Sequence, residues 1–195
     1  MSERGRSADP RAERVRSRLR QAALFLADER PVDEISVGDL VSQADVSRQV
    51  FYRHFRDRDD AIAAAFSHLF CKRPAQAEDA KARILELFGF AAEHAALFRH
   101  VVPSTVNQYV LVTYRDALRA PCEQIASQGM AVLDTITSIS ADAVTRFLVG
   151  GFTEVLRSWM EDPDATDLSL RIGAALDTVD ALLGITSAQK GPSRG

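Results

Sequence analysis

The chain has 195 residues, 46% of them hydrophobic and 26% charged, the composition of a globular protein long enough to bury a core as one large domain or two small ones. Its two cysteines, Cys71 and Cys122, are far apart and make no disulfide framework, so a reducing compartment is expected. No apolar run reaches the roughly 18 residues of a membrane span, and the N-terminus has no signal-like apolar core, so the expectation is a soluble, cytoplasmic protein without a membrane partner. The net charge of −3 is unevenly spread. Residues 1–58 hold 12 Arg against 10 Asp and Glu, with Arg at 4, 6, 11, 14, 16, 18 and 20, and the remainder holds 12 Lys and Arg against 17 Asp and Glu. A basic head on an acidic body fits contact with a polyanion at one end only.

In chain order, almost every segment reads as helix. Asp9-Pro10 supplies a cap and a first helical residue, after which Val15, Leu19, Ala22, Ala23 and Leu26 recur at helical spacing. "DERPVDE" at 28–34 ends that helix. Ser36, with Asp39 three residues on, caps a short second helix over about 37–44. Asp45-Val46 makes a tight turn into a third helix over about 47–54, and "RDRD" opens a fourth with Ile62, Ala65, Phe66 and Leu69 inward. "CKRPAQAE" reads as a linker, with Pro74 stopping the helix before it. Further helices are expected near 78–96, 104–127, 140–161 and 165–183, punctuated by Pro103, Pro121 and Pro163 and closed by Gly184. "YVLVTY" at 109–114 is ambiguous between strand and helix and is read as helix from its neighbours. The expectation is an all-α chain. Residues 1–70 form a helix-turn-helix DNA-binding domain, its first nine disordered; 71–77 form a linker; 78–195 form a helical ligand-binding and dimerisation domain.

The segment "ADVSRQVFYRHF", 44–55, carries the chemistry. On a helix of about 100° per residue, Arg48, Gln49, Tyr52 and Arg53 share one face and Phe51 and Phe55 the other. Two short helices joined by a tight turn, the second presenting Arg and Gln from its first turn, suit a major groove. Arg can donate twice to a guanine edge, Gln can pair with adenine, and Val50 offers an apolar contact to a thymine methyl. Tyr52, His54 and Arg58 suit phosphate oxygens, as does Ser36 at a helix start. The plainer alternative is an amphipathic surface helix.

Residues 11–66 resemble the N-terminal DNA-binding domain of TetR-family transcriptional repressors. The likeness rests on Ser36-Val37, Ala44-Asp45-Val46-Ser47, Phe51-Tyr52-Arg53-His54-Phe55 and Asp57-Arg58-Asp59. It implies phosphate contacts at Ser36, Tyr52, His54 and Arg58, and base reading by Arg48, Gln49 and Val50, with Ser47 opening the reading helix. Asp45 replaces the family's usual turn Gly, Gln49 and Val50 replace small residues and Thr, and Arg58 replaces Lys.

The body offers two further readings. "AVTRFLVGGFTEVLRSWM", 143–160, is apolar nearly all round, and with the last helix it resembles the family's dimer interface. The expected interface residues are Phe147, Gly150, Gly151, Val155, Trp159, Leu176, Val179 and Leu183. The middle helices usually enclose a small-molecule pocket in this family, and Phe88, Phe98, His100, Asn107, Tyr109 and Tyr114 mix apolar walls with polar tips. Plain core is the alternative for each of these six.

The resulting expectation is a repressor that binds palindromic duplex DNA as a homodimer and is released by an apolar or aromatic effector. A DNA-binding dimer without inducer and a helical protein-interaction module are the rivals. No catalytic residue, cofactor or metal is expected. His68 and Cys71 alone do not make a metal site, and no nucleophile elbow, HExxH or phosphate-cradling Gly loop occurs.

Overall fold

The structure, a computed structural model, describes residues 10–73, 77–134 and 138–184. Among these there are nine α-helices and one 3-10 turn, and no strand. "YVLVTY" lies inside a helix, as expected. The predicted cap at Asp9, the disorder of 1–9 and the break at Pro74 lie outside the described residues.

The chain packs as two compact units. One is built from the described residues of 1–73 together with His94–Val110, and the other from those of 74–93 and 111–195. Residues 94–110 therefore pack with the N-terminal unit, although in sequence they follow the predicted linker.

In the first unit, α1 (Pro10–Glu29) is the axis against which α2 (Val37–Ala44), α4 (Arg58–Cys71) and α6 (Ala95–His100) pack. Leu19, Ala22, Ala23 and Leu26 of α1 are buried as their spacing predicted, while Val15 is half-buried. Between α1 and α2 the chain turns through Val32–Glu34, whose Val32 is buried. α3 is a single turn, Arg48–Phe51, shorter than the predicted 47–54. Tyr52 already caps it, and the amides of Arg53 and His54 bond three residues back, to Val50 and Phe51, tightening the end. Phe66 of α4 meets Phe98 of α6 edge-on, ring centroids 5.6 Å apart. α6 is a separate helix lying mostly beyond the predicted stretch of 78–96.

The second unit holds α5 (Ala80–Glu93), most of α7 (Val106–Leu133), α8 (Ala141–Glu161) and α9 (Leu168–Leu183). α9 packs on α5 and on α8, and a side-chain ion pair joins Lys81 to Asp180. α7 runs straight through Pro121 to Leu133, past the predicted end near 127. A proline inside a helix costs about 3 kcal/mol. Tyr114, Leu118 and Ile125 are all fully buried on α7, and burying Leu or Ile alone returns about 1.5–3 kcal/mol each, so packing outweighs the proline. α9 ends at Gly184 in the left-handed conformation, φ 62°, the cap expected of it. Gly129 lets α7 approach α9, since a Cβ there would lie 2.9 Å from Leu183.

Candidate nucleic-acid interface

The start of α2 is closed by its own residues. Ser36 Oγ accepts from the Asp39 amide at 3.1 Å, and Asp39 Oδ2 accepts from the Ser36 amide at 2.8 Å and the Ser36 hydroxyl at 2.7 Å. These hydrogen bonds, the backbone one foremost, and the Arg30 guanidinium 3.3 Å away hold the Asp39 carboxyl below the usual carboxylate range. With that carboxylate seated at the helix start, Ser36 acts as the cap of α2.

The turn after α2 hinges on Asp45 at φ 50°, ψ 55°. An L-residue other than Asn or Asp pays about 1–2 kcal/mol in that region. Here Arg18 of α1 donates to both the Asp45 carbonyl and its Oδ2, each at 3.0 Å. Asp stands where the resemblance leads one to expect Gly, and Arg18 is the partner that sequence reasoning missed.

α3 is then set by its aromatic side. Phe51 and Phe55 are buried, with ring centroids 5.9 Å apart, and Tyr52 packs edge-on against Phe51 at 5.3 Å. Ser47 caps the helix, accepting from the Val50 amide at 3.3 Å. The opposite side is open: Arg48 and Gln49 are exposed, Val50 is half-buried, and Tyr52 is 58% exposed despite its ring contact. The Arg48 guanidinium lies over Gly38, where an added Cβ would sit 3.2 Å from its Nη2. Arg48, Gln49 and Tyr52 thus share one exposed surface over a closed apolar floor.

His54 and Arg58 are placed differently. His54 is half-buried beside Arg16, on a groove of about 520 Å³ that also takes in Arg20, His68, Cys71 and Tyr109. Burial, and then the charge of Arg16, push its pKa below 6.5, so it is neutral near pH 7. Arg58, to which the resemblance gives a phosphate role, is engaged within the chain in this structure. Its guanidinium donates to Asp59 at 2.8 Å and to the carbonyls of Asp33 and Ile35 at 3.2 and 3.1 Å. The two carbonyls lie 25 and 23 residues away in sequence, where no local pattern shows them.

The six pocket candidates are divided between the two units. Phe98, His100, Asn107 and Tyr109 belong to the first unit and Phe88 and Tyr114 to the second. Phe88, Phe98 and Tyr114 have no exposed surface, so in this conformation they line no space that a water-sized probe enters. The Tyr114 hydroxyl donates to the Leu87 carbonyl at 2.8 Å, which satisfies it as core. His100 Nδ1 lies 2.9 Å from the Ala27 carbonyl. That carbonyl has no helical donor, because the residue four on is Pro31, and the ring N–H fills the gap.

On α8 and α9 the predicted interface residues divide between exposed and buried positions. Phe147 is 76% exposed, Gly150 and Gly151 are exposed, and among the described residues a Cβ on either glycine would meet nothing within 4 Å. Val155 and Val179 are half-buried. Trp159, Leu176 and Leu183 instead face the unit's own core. The outward residues of α9 are Leu170 (72% exposed), Ala174, Thr178 and Leu182 (67%), recurring every four residues. A helix apolar on two sides does not declare which side faces its own chain.

Among the described residues no cluster of three or more metal-ligating side chains occurs, and no helix is long and apolar enough to cross a membrane. Burial pushes the Cys122 thiol up to about 12, far from a reactive thiolate.

Residues 19–65, from the middle of α1 to the middle of α4, match the model of the bacterial regulatory proteins of the tetR family. No curated protein matches the chain. Among solved structures the fold is similar to the dihydroxyacetone kinase operon activator DhaS, with TM-score 0.61 and 13% identity over 89% of this chain and 98% of that one. It is also similar to a tetR-family transcriptional regulator from Streptomyces coelicolor, at 0.57 and 21% over 89% and 86%. A third similar structure is FadR from Bacillus subtilis in complex with stearoyl-CoA, at 0.59 and 16% over 84% and 96%. Identities this low speak for the fold alone. The family match lies on the α2–α3 head, so residues 19–65 are similar to the helix-turn-helix segment of tetR-family regulators, and the whole chain shares their all-α fold.

Proposed function

We propose that the chain binds palindromic duplex DNA as a homodimer, acts as a repressor, and is released by a small apolar or aromatic effector. Residues 1–70 serve as the DNA-binding part and 78–195 as the regulatory and dimerising part, joined by 71–77. The observation that carries the reading is the exposure of Arg48 and Gln49 on a one-turn helix whose other side, Phe51, is fully buried. Those two side chains reach outward from a rigid floor, with donors matched to guanine and adenine edges. One such helix covers too few base pairs to specify a site, whereas two related by a two-fold axis read half-sites about 34–36 Å apart or a multiple of that. The outward apolar face of α8 and α9 suits the second copy.

Selection of bound duplexes from a random pool, at stated salt, tests this with Arg48→Ala alongside. The expected result is an enriched palindrome whose preference relaxes in the variant, with a loss of about 1–3 kcal/mol. No enrichment at low salt would return α3 to a surface helix and favour a protein partner. A second reading, a DNA-binding dimer without an inducer, draws on the closed packing of Phe88, Phe98 and Tyr114. Addition of an acyl-CoA or an aromatic acid to the DNA complex separates the two, since release supports the effector.

A further inference from the structure

Arg58 is half-buried and occupied on every side. Its Nε donates to Asp59 Oδ1 at 2.8 Å. Its Nη1 donates to the carbonyls of Ile35 and Asp33, and its Nη2 lies 3.5 Å from Asp33 Oδ1. Asp59 is held in turn from its other oxygen, where Thr105 Oγ1 donates to Oδ2 at 2.5 Å. Thr105 immediately precedes α7, and Ile35 immediately precedes Ser36, the cap of α2. A continuous polar chain thus runs from the start of α7 through the first turn of α4 to the two carbonyls ahead of α2, all within the first unit.

The electrostatics exclude the role expected of this position. Two carboxylates, Asp59 and Asp33, flank one guanidinium, so the cluster carries no surplus positive charge for a phosphate. Drawing Arg58 out to DNA would leave two carbonyls and a partly buried carboxylate without their donor, at a cost per group comparable to what a phosphate contact returns. Arg is suited to this place because its planar fork can span a carboxylate and two carbonyls at once.

The structure assigns Arg58, Asp59 and Thr105 to a positioning clamp that fixes α2, and through it the reading helix α3, without touching DNA. The inference rests on the DNA-binding reading above, and on Arg58 contributing orientation in place of charge. Partial burial pushes the Asp59 carboxyl up, but the bonds from Thr105 and Arg58 outweigh it and hold the group ionised, as the clamp requires.

Counterion release separates a clamp from a contact. Each phosphate neutralised by a cation adds about 0.9 to the slope of log K against log salt. The full-length protein is titrated with its selected duplex across a salt series, as wild type, Arg58→Met, Arg58→Lys and Thr105→Val. Melting and circular dichroism confirm that each variant folds. Arg58→Met is expected to bind about tenfold more weakly with an unchanged slope. Thr105→Val, whose side chain bears no charge, is expected to weaken binding in the same sense. Arg58→Lys keeps the cation but not the fork, and it is expected to stay weakened.

A slope shallower by about 0.9 per protomer in Arg58→Met, or full recovery in Arg58→Lys, would overturn the clamp in favour of a phosphate contact. Undiminished affinity in Thr105→Val would remove α7 from it. Should Arg58→Met fail to fold, the other two variants decide. Amide exchange over residues 33–39, without DNA, gives an independent readout: faster exchange in the variants supports the clamp, and unchanged exchange sinks it. Wild type that binds no duplex, with exchange still accelerated in the variants, would fault the DNA reading and leave the clamp standing.

Discussion

The α2–α3 head exposes Arg48, Gln49 and Tyr52 over a floor of buried phenylalanines, whereas α8 and α9 expose Phe147, Leu170 and Leu182 over a core of Trp159, Ile172 and Leu176. Both faces rest on close-packed aromatic or aliphatic layers, and they differ in what they leave uncovered. Exposed Arg and Gln are at ease in water, and their directionality has value only against a patterned polar surface such as a base edge. Exposed Phe and Leu at helical spacing are costly in water and signal a covering surface. The glycines sharpen the contrast. Among the described residues a Cβ on Gly150 or Gly151 meets nothing, so no contact there accounts for two residues that each lower helix propensity by about 1 kcal/mol. Arg157, held between Glu154 and Glu161, borders the α8 face with charge, as a polar rim borders an apolar patch.

The largest expected effect comes from breaking the apolar face. Gly151→Leu has room within the chain and should raise the helix propensity of α8, so the monomer should melt no lower than wild type. Against a second copy seated on the glycines, the same side chain clashes. The dimer should weaken by at least about 2 kcal/mol, roughly 30-fold, the scale of a central interface residue. Sedimentation velocity over a concentration series measures this, and an unchanged dimer would take Gly151 out of the interface.

The head should respond less, because its weak point is a turn. Asp45→Ala leaves an ordinary L-residue in the left-handed region and removes the Arg18 partner. It should lower stability by about 1 kcal/mol, or about 2–4 °C in Tm for a chain of this size. Asp45→Gly relieves the backbone cost and loses an exposed ion pair worth about 0–1 kcal/mol, so the two nearly cancel. Equal melting of the Ala and Gly variants would mean that the αL conformation is not what Asp45 supplies.

These cases also show where a sequence can be read. The bounds of α2, 37–44, follow from residues within or adjoining the helix: the Ser36–Asp39 cap at one end and the Asp45 turn at the other. The exposed side of α3 is only partly legible: Phe51 marks the buried side, but at 100° per residue Phe55 falls about 20° from Arg48, and it is buried because the helix has already ended at Phe51. Long-range partners are not legible. Arg58 turns toward carbonyls set by the Val32–Glu34 turn, Arg18 finds a turn 27 residues on, and His100 answers a carbonyl orphaned by Pro31. Packing also overrode local signals. Pro121 did not end α7, and on α9 the apolar residues fall on two sides, so Leu176 and Leu183 could not be told from Leu170 and Leu182 until α5 and α8 were in place.

The smallest expected effect lies at the edge of the head, at His54. Its pKa is depressed below 6.5 by burial first and then by the charges of Arg16 and Arg53, with Glu13 opposing. A depressed histidine is neutral in the folded chain while its unfolded counterpart binds a proton near 6.5. Stability from this group is therefore complete above the unfolded value and is lost as pH falls through the folded one. DNA binding should run the other way in the same window. A phosphate beside His54 favours the protonated ring and raises its pKa in the complex, so binding takes up a proton. Affinity then rises as pH falls from neutral, by at most about tenfold per pH unit and protomer for one proton each. Titrating DNA binding and melting separately against pH, in wild type and His54→Gln, resolves the opposed trends. If the variant keeps the wild-type pH dependence of binding, His54 does not face a phosphate and belongs only to the groove with Arg16 and Arg20. If the variant binds with a flat profile while its melting loses the acid-side fall, the neutral ring beside Arg16 is a phosphate donor that gains its proton on DNA.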